Sequence, residues 1–220
     1  KERVLPLVDE LTEDAEAVGA VNTIVSASNS DGRTKLTGDN TDIAGFLAPL
    51  ERYLDELTGQ RALIFGSGGA ARAVAYAIIT TLEPARCTIA ARSPQKAEQI
   101  VSDLVPYDSG RSLRVSQLRD AGEDVRTSRL LVNATPVGMH PATDETIWPN
   151  TDDLHTGHIA YDLVYRPRQT RWLREAAACG AQTIGGLKML IAQAAAAYEQ
   201  WTHTSMPLGT VERTVKKSWS

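Results

Sequence analysis

"RALIFGSGGAARAVAYAIITTL", residues 61 to 82, decides the fold. Its first five residues are a short, mostly apolar run of the kind buried on both faces of a sheet. Glycines follow at 66, 68 and 69, and then an unbroken series of helix formers. The stretch therefore predicts a strand, a tight turn and a helix in direct succession. Gly66 permits the sharp turn, Gly68 lets the backbone come close to a bound group, and Ala71 is small enough for helix and strand to pack. The first turn of the helix then offers unpaired N–H groups to an anion lying over the loop, and a pyrophosphate suits that geometry. Taken alone, this G-x-G-x-x-A spacing is also that of an ordinary βα turn. The context favours a dinucleotide, because "CTIAA" at 87–91 is a second buried strand ending where ribose recognition is needed. Gly66, Ser67, Gly68, Gly69 and Ala70 are accordingly the candidate pyrophosphate loop.

The end of that second strand selects the cofactor. A site for NAD usually places Asp or Glu there to hold the ribose hydroxyls. Here "ARSPQKAE" supplies Arg92, Ser93 and Lys96, with no acid before Glu98. A guanidinium is a planar, permanently charged fork that fits a 2′-phosphate, and Lys96 adds a second charge one turn later. The expected cofactor is NADP, and the alternative is a solvated basic surface.

Outward from this loop the chain alternates. "SPQKAEQIVSDL" reads as a helix with Ser93 as cap and Pro94 at its first position. "RLLVNATP" and "HIAYDLVY" read as buried strands, "TRWLREAAACG" as a helix closed by Gly180, and "AQTIG" as a short strand. Strands that are apolar throughout, separated by helices, predict an α/β fold: a doubly wound parallel sheet of Rossmann type. Ahead of it, 1–18 reads as two helical pieces, with Thr12 capping the second and Gly19 stopping it. "AVNTIVS" and "RTKLTG" read as paired strands around an "NSDG" turn, and "NTDIAGFLAPLERYLDEL" as a helix that Pro49 can interrupt. A final helix, "GLKMLIAQAAAAYEQWT", follows a Gly-Gly pair.

Composition narrows the classes. With 42% apolar and 23% charged residues the chain can bury a core. Its formal charge is −4 with scattered Lys and Arg, which argues against a nucleic-acid or anionic-membrane surface as partner. No apolar run reaches the roughly 18 residues of a membrane span. The two cysteines, Cys87 and Cys179, read as reduced and buried in a cytoplasmic protein, and no His/Cys cluster has metal-ligand spacing.

Seven segments together resemble one family, the shikimate dehydrogenases (the shikimate/quinate group). They are "DELTEDAEAVGAVNTI", "GDNTDIAGF", "GSGGAARA", "ARSPQKAE", "NATPVGM", "YDLVY" and "GGLKMLIAQAA", in family order and at family spacing from residue 1 to about 202. The resemblance implies NADPH-dependent reduction of 3-dehydroshikimate to shikimate in aromatic biosynthesis, by a monomer or homodimer. It also implies two domains: part of a smaller α/β substrate domain at 1–42 and 186–220, and an NADP-binding Rossmann domain at 43–185. The family's catalytic lysine and aspartate fall on Lys1 and Asp42. Asn22 and Gln193 fall on positions that bind substrate hydroxyls, and Tyr165 on a tyrosine lining the same cleft. Asn133, Ala134 and Thr135 match a loop near the nicotinamide ribose, and Gly186 a glycine beside the nicotinamide. Two departures stand out. The family's serine pair for the substrate carboxylate would lie ahead of Lys1, so a piece starting here is expected to bind NADPH but turn over poorly. The "NRT" of NADP-specific members reads Ala91-Arg92-Ser93, with the arginine kept.

The chemistry suits these residue types. A ketone accepting hydride needs a proton or a stabilising charge, and a positioned ammonium supplies both while a carboxylate holds it in place. Ring alcohols need amides that donate and accept, as Asn22 and Gln193 can. Each residue also has a plain reading. Asp42 could merely favour the helix dipole, Asn22 end a strand, Gln193 face solvent, Tyr165 pack and Lys1 be a solvated terminus. At the level of function two alternatives stay open: a quinate-using dehydrogenase, and a catalytically silent relative kept for regulation.

Overall fold

A computed structural model of the chain describes residues 1–28 and 32–218. The expected turn "NSDG" falls largely on 29–31 and so lies outside the described residues. The chain divides into two compact units, Lys1–Ala48 with Lys188–Ser220, and Pro49–Leu187.

The first unit opens with a 3-10 turn, Glu2–Leu7, and a two-residue strand, β1 (Glu10–Leu11). The strand is absent from the sequence expectation, because two residues carry no periodicity. Helix α1 (Glu13–Val18) starts where Thr12 accepts the Ala15 N–H, and ends at Gly19 in the left-handed conformation. β2 (Thr23–Ser28) runs antiparallel to β3 (Thr34–Asp39), and β1 adds to the far side of β3 in parallel, giving the order β1-β3-β2. Next comes α2 (Asp42–Leu47), after which Pro49 falls in a 3-10 segment, Ala48–Tyr53, that leads to α3 (Leu54–Leu57). The long helix anticipated at 40–57 is thus three pieces, as a proline without an N–H at its centre requires.

The second unit is a six-stranded, wholly parallel sheet in the order β6-β5-β4-β7-β8-β9. β4 (Arg61–Phe65) feeds α4 (Gly69–Thr81), and β5 (Arg86–Ala91) feeds α5 (Pro94–Leu104). β6 (Leu113–Gln117) and α6 (Gly122–Thr127) come from a stretch to which the sequence reading assigns no element; β6 is an edge strand with mixed burial, so its pattern is weak. β7 (Leu130–Asn133), β8 (Ile159–Asp162), α7 (Arg171–Ala178) and β9 (Gln182–Gly185) complete the unit. β4, β7 and β8 are buried almost throughout, which explains their uninterrupted apolar sequences. Phe65 packs between Trp148 and Trp172, with ring centroids 6.0 and 5.9 Å away.

The chain then returns to the first unit as α8 (Leu187–Thr202). Gln200 donates to Asp39 Oδ2 at 2.5 Å, and Trp201 donates to the Ile24 carbonyl at 3.0 Å. A last helix, α9 (Leu208–Ser218), occupies the tail. Among the described residues no helix is long and apolar enough to cross a membrane. Both cysteines are free; Cys87 is fully buried, which pushes its thiol pKa far up, and Cys179 is half-buried.

Candidate active site

Strand β3 ends at Asp39, and the next three residues turn into α2. Asn40 is buried; its amide donates to the Ala20 carbonyl at 2.8 Å, and its Oδ1 accepts the Asp42 N–H at 3.1 Å. The side chain that caps α2 is therefore Asn40, while Thr41 turns inward. Asp42 is left on the first turn with its carboxylate free for other partners. The Lys1 ammonium pairs with Oδ2, and the Asn22 amide donates to Oδ1 at 2.9 Å. Asp42 is 7% exposed, whereas the Lys1 side chain is half exposed, so the pair presents its cationic side outward.

Asn22 is more committed than a residue reserved for ligand would be. Its Oδ1 accepts from Thr41 N at 2.9 Å, Thr23 Oγ1 at 2.9 Å and Thr41 Oγ1 at 3.2 Å. Among the described residues its second N–H has no partner, so it keeps a donor but no spare acceptor. Gln193 is half-buried on α8. A Cβ on Gly45 would lie 2.7 Å from Gln193 Cβ, so the glycine lets α8 seat against α2 one turn beyond Asp42. Lys1, Asn22 and Asp42 are thus in direct contact, with Gln193 against the same short helix. Tyr165 belongs to the other unit, in the loop after β8, and is 39% exposed.

Within the Pro49–Leu187 unit, the sheet reverses its winding between β4 and β7, and a groove of about 440 Å³ opens at the carboxyl ends of the strands there. Gly66, Ser67 and Gly68 line it on one side, Arg92, Ser93 and Lys96 on another, and Ala134 and Thr135 on a third. Gly66 has φ +114° and an added Cβ would stand 2.8 Å from Thr135 Cγ2, so backbone conformation and packing both call for glycine. Gly68 and Gly69 differ. Gly68 has φ −94°, and a Cβ on either residue would meet nothing within 4 Å. Nothing inside the chain requires glycine at these two positions; the space they keep open lies outside, over the first turn of α4. A phosphate needs that space and those N–H groups, so the loop fits a dinucleotide. Arg92 is exposed at the end of β5 with its guanidinium unpaired among the described residues. A further hollow of about 620 Å³ shares Arg92, Leu118 and Ile147 with the groove and is bordered by Arg126 and Trp148.

Three positions behave differently from expectation. Asn133 is fully buried and its amide is consumed: Oδ1 accepts from Thr135 N at 3.0 Å and Thr135 Oγ1 at 2.6 Å, while Nδ2 donates to the Val137 carbonyl and to Asp162. It supports the groove wall from behind and does not form it. Ser93 occupies the cap position of α5, yet its hydroxyl donates to Gln95 Oε1 at 2.8 Å instead of accepting a helix N–H. At Gly186 a Cβ would fall 2.2 Å from the Leu163 carbonyl oxygen, so packing alone demands glycine there. Thr146, Pro136 and Val137 also line the groove, from a loop whose sequence carries no periodic signal. Asp162 was likewise missed, although a lone acid ending an apolar strand is a legible anomaly. Among the described residues no group of His, Cys, Asp and Glu could hold a metal ion.

Comparison with known proteins bears on the whole arrangement. The chain is 57% identical over 213 residues to shikimate dehydrogenase (NADP(+)) of Salinibacter ruber, covering 96% of this chain and 73% of that protein. The chain belongs to the shikimate dehydrogenase family. The family model for the shikimate 5′-dehydrogenase C-terminal domain matches residues 186–216. The solved shikimate 5-dehydrogenase of Thermus thermophilus, in complex with NADP(H) and shikimate, is 37% identical with a TM-score of 0.79, covering 99% of this chain and 75% of that one. A second solved relative, the quinate dehydrogenase of Corynebacterium glutamicum in complex with NAD, is 31% identical with a TM-score of 0.87, covering 99% and 74%.

Proposed function

We propose that this shikimate dehydrogenase family member interconverts 3-dehydroshikimate and shikimate with NADPH as the reductant. The ion pair between Lys1 and Asp42, closed across 41 residues of sequence, carries the reading. The Lys1 ammonium is the proton source for a ring oxygen that gains charge as its carbon is reduced, and the same charge stabilises the alkoxide before the proton arrives. Asp42 aims that ammonium, and the Asn22 amide together with Asn40 fixes Asp42. Asn22 is left with one N–H to give to a substrate hydroxyl, and Gln193 is the second amide for that task. Tyr165, which matches a substrate-site tyrosine of the family, is a further candidate for substrate binding.

NADPH, when bound, supplies the hydride. Gly66, Ser67, Gly68, Gly69 and Ala70 would hold its pyrophosphate, and Arg92, Ser93 and Lys96 its 2′-phosphate. Ala134 and Thr135, backed by Asn133, and Gly186 would serve the nicotinamide half. In this reading Lys1–Ala48 with Lys188–Ser220 is the substrate unit and Pro49–Leu187 the cofactor unit. The enzyme works in the cytoplasm on small molecules, as a monomer or homodimer. The quinate dehydrogenase relative favours a second reading, a broader polyol specificity, which the same assay separates.

The experiment is NADP⁺-linked oxidation of shikimate and of quinate by the full-length protein, with NAD⁺ in parallel. Asp42→Asn and Lys1→Ala should each lower kcat by about a hundredfold or more while NADP⁺ affinity stays within twofold. Binding of both NADP⁺ and shikimate without turnover would favour a regulatory relative and refute the catalytic reading.

A further inference from the structure

Asp162 ends β8 with no exposed surface, and the proposed function leaves it unused. Its Oδ1 accepts from Asn133 Nδ2 at 3.0 Å and from the Val164 N–H at 3.0 Å, and its Oδ2 accepts from Thr170 Oγ1 at 2.6 Å. Each partner governs a different segment. Asn133 holds Thr135 by its backbone and its hydroxyl, and Thr135 Oγ1 in turn accepts the Val137 N–H at 3.2 Å. Val164 belongs to the 163–165 loop that carries Tyr165; its carbonyl accepts the Gly186 N–H at 3.3 Å, where the backbone pack is too tight for a side chain. Thr170 is the N-cap of α7 and accepts the Leu173 N–H.

One carboxylate therefore fixes the 133–137 wall, the 163–165 loop and, through the latter, Gly186. If Gly66–Gly69 hold the pyrophosphate and the β5 end holds the adenosine ribose, the other half of a dinucleotide lies over β7 and β8, where these segments converge. We propose that Asp162 is the positioning residue for the nicotinamide half of the cofactor site, setting through its three donors the segments that half rests on. The proposal rests on the NADP reading of the groove. Its chemistry is that of a charged acceptor: hydrogen bonds to a carboxylate are shorter and stronger than those to a neutral carbonyl, so they hold the segments stiffly.

The charge is kept at a cost. Burial pushes the Asp162 pKa up to about 6, against which the hydrogen bonds from Thr170, Val164 and Asn133 act. The groups facing it are that amide from β7, that N–H from its own loop and that hydroxyl from α7; its neighbour across β9 is Gly185. None of these titrates. Protonation would turn Oδ2 from acceptor to donor and leave Asn133 and Val164 on a neutral oxygen, and Asp162→Asn imitates that state.

The test compares two probes by calorimetry: NADP⁺, and adenosine 2′,5′-bisphosphate, which has the adenosine half and no nicotinamide. At pH 7.5, Asp162→Asn should weaken NADP⁺ binding about tenfold and Asp162→Ala further, with the bisphosphate Kd within twofold of wild type in both. In the wild-type chain, the ratio of the two Kd values should rise toward that of the Asn variant as pH falls through about 6. The Asp162→Asn variant is followed over the same pH range, so titration of the probes' own phosphates, including the 5′-monoester of the bisphosphate, is common to both proteins and cancels between them. A wild-type ratio that keeps a constant separation from that of the Asn variant as pH falls, or variants that weaken both probes together, would overturn the positioning role. Wild-type protein that binds neither probe would instead sink the cofactor reading beneath it.

Discussion

Replacing Asp162 by Asn should change how stability depends on pH, in a direction the structure dictates. The folded pKa of about 6 lies above the ordinary 3.8 of an aspartate, so the native state binds this proton more tightly than the unfolded chain does. For an acid shifted upward, folding stability falls as pH rises through the interval between the two values and is constant outside it. The gap between 3.8 and about 6 corresponds to about 3 kcal/mol at 1.36 kcal/mol per tenfold change in proton affinity. Raising pH from 4.5 to 8 covers about 2 kcal/mol of that, since unfolded aspartates are already largely ionised at the lower end. Every other titrating group is common to both proteins and cancels in the difference. The unfolding free energy of Asp162→Asn minus that of wild type should therefore grow by about 2 kcal/mol across this range. Urea unfolding followed by tryptophan emission measures it, because Trp148 and Trp172 pack against Phe65 in the core of the same unit. Two curves that run parallel from pH 4.5 to 8 would show that the carboxylate is not held ionised at a cost. The reasoning that it is retained for positioning would then fail.

Single contacts give the other expected outcomes. Arg92→Asp should shift coenzyme preference from NADP⁺ toward NAD⁺ by at least tenfold in the ratio of Kd values, and an unchanged ratio would show that the guanidinium does not meet the 2′-phosphate. Gly66→Ala places a Cβ 2.8 Å from Thr135 Cγ2 at a φ of +114°, so NADP⁺ affinity and melting temperature should both drop. Gly45→Ala drives a Cβ to 2.7 Å from Gln193 Cβ and 3.0 Å from its backbone nitrogen. The overpacking should cost about 1–3 kcal/mol in chemical denaturation and lower kcat by displacing α2 from α8. Wild-type stability and rate in that variant would mean the two helices can part without consequence.

Much of the cofactor unit is legible along the chain because its signals are local. A buried parallel strand must be apolar throughout, a turn that admits a phosphate must be glycine, and a cap must precede its helix. Residues 61–82 carry the first two, and the cap of the sequence reading that the structure keeps is Thr12, on α1 of the other unit. Gly68 is read as a ligand glycine from its spacing after the strand, and in the structure an added Cβ there meets nothing within 4 Å. Edge strand β6 escaped notice because it is buried on one side only and short, and β1 because two residues have no period. The helix expected at 40–57 is broken at Pro49, where the backbone tightens into a 3-10 segment that no apolar spacing announces.

By itself the sequence determined the buried strands and main helices of the cofactor unit, its glycine-rich loop, the basic residue at the end of β5 and, through its motifs, the family. Only tertiary structure decided which side chains serve one another. Lys1 meets Asp42 because β1, β2 and β3 bring the start of the chain beside α2, and no local pattern encodes a contact across 41 residues. Asn133 became a buried strut and Asp162 a hub for the same reason: a polar residue inside a sheet must spend its hydrogen bonds on whatever the fold sets opposite it, and sequence does not say what that is.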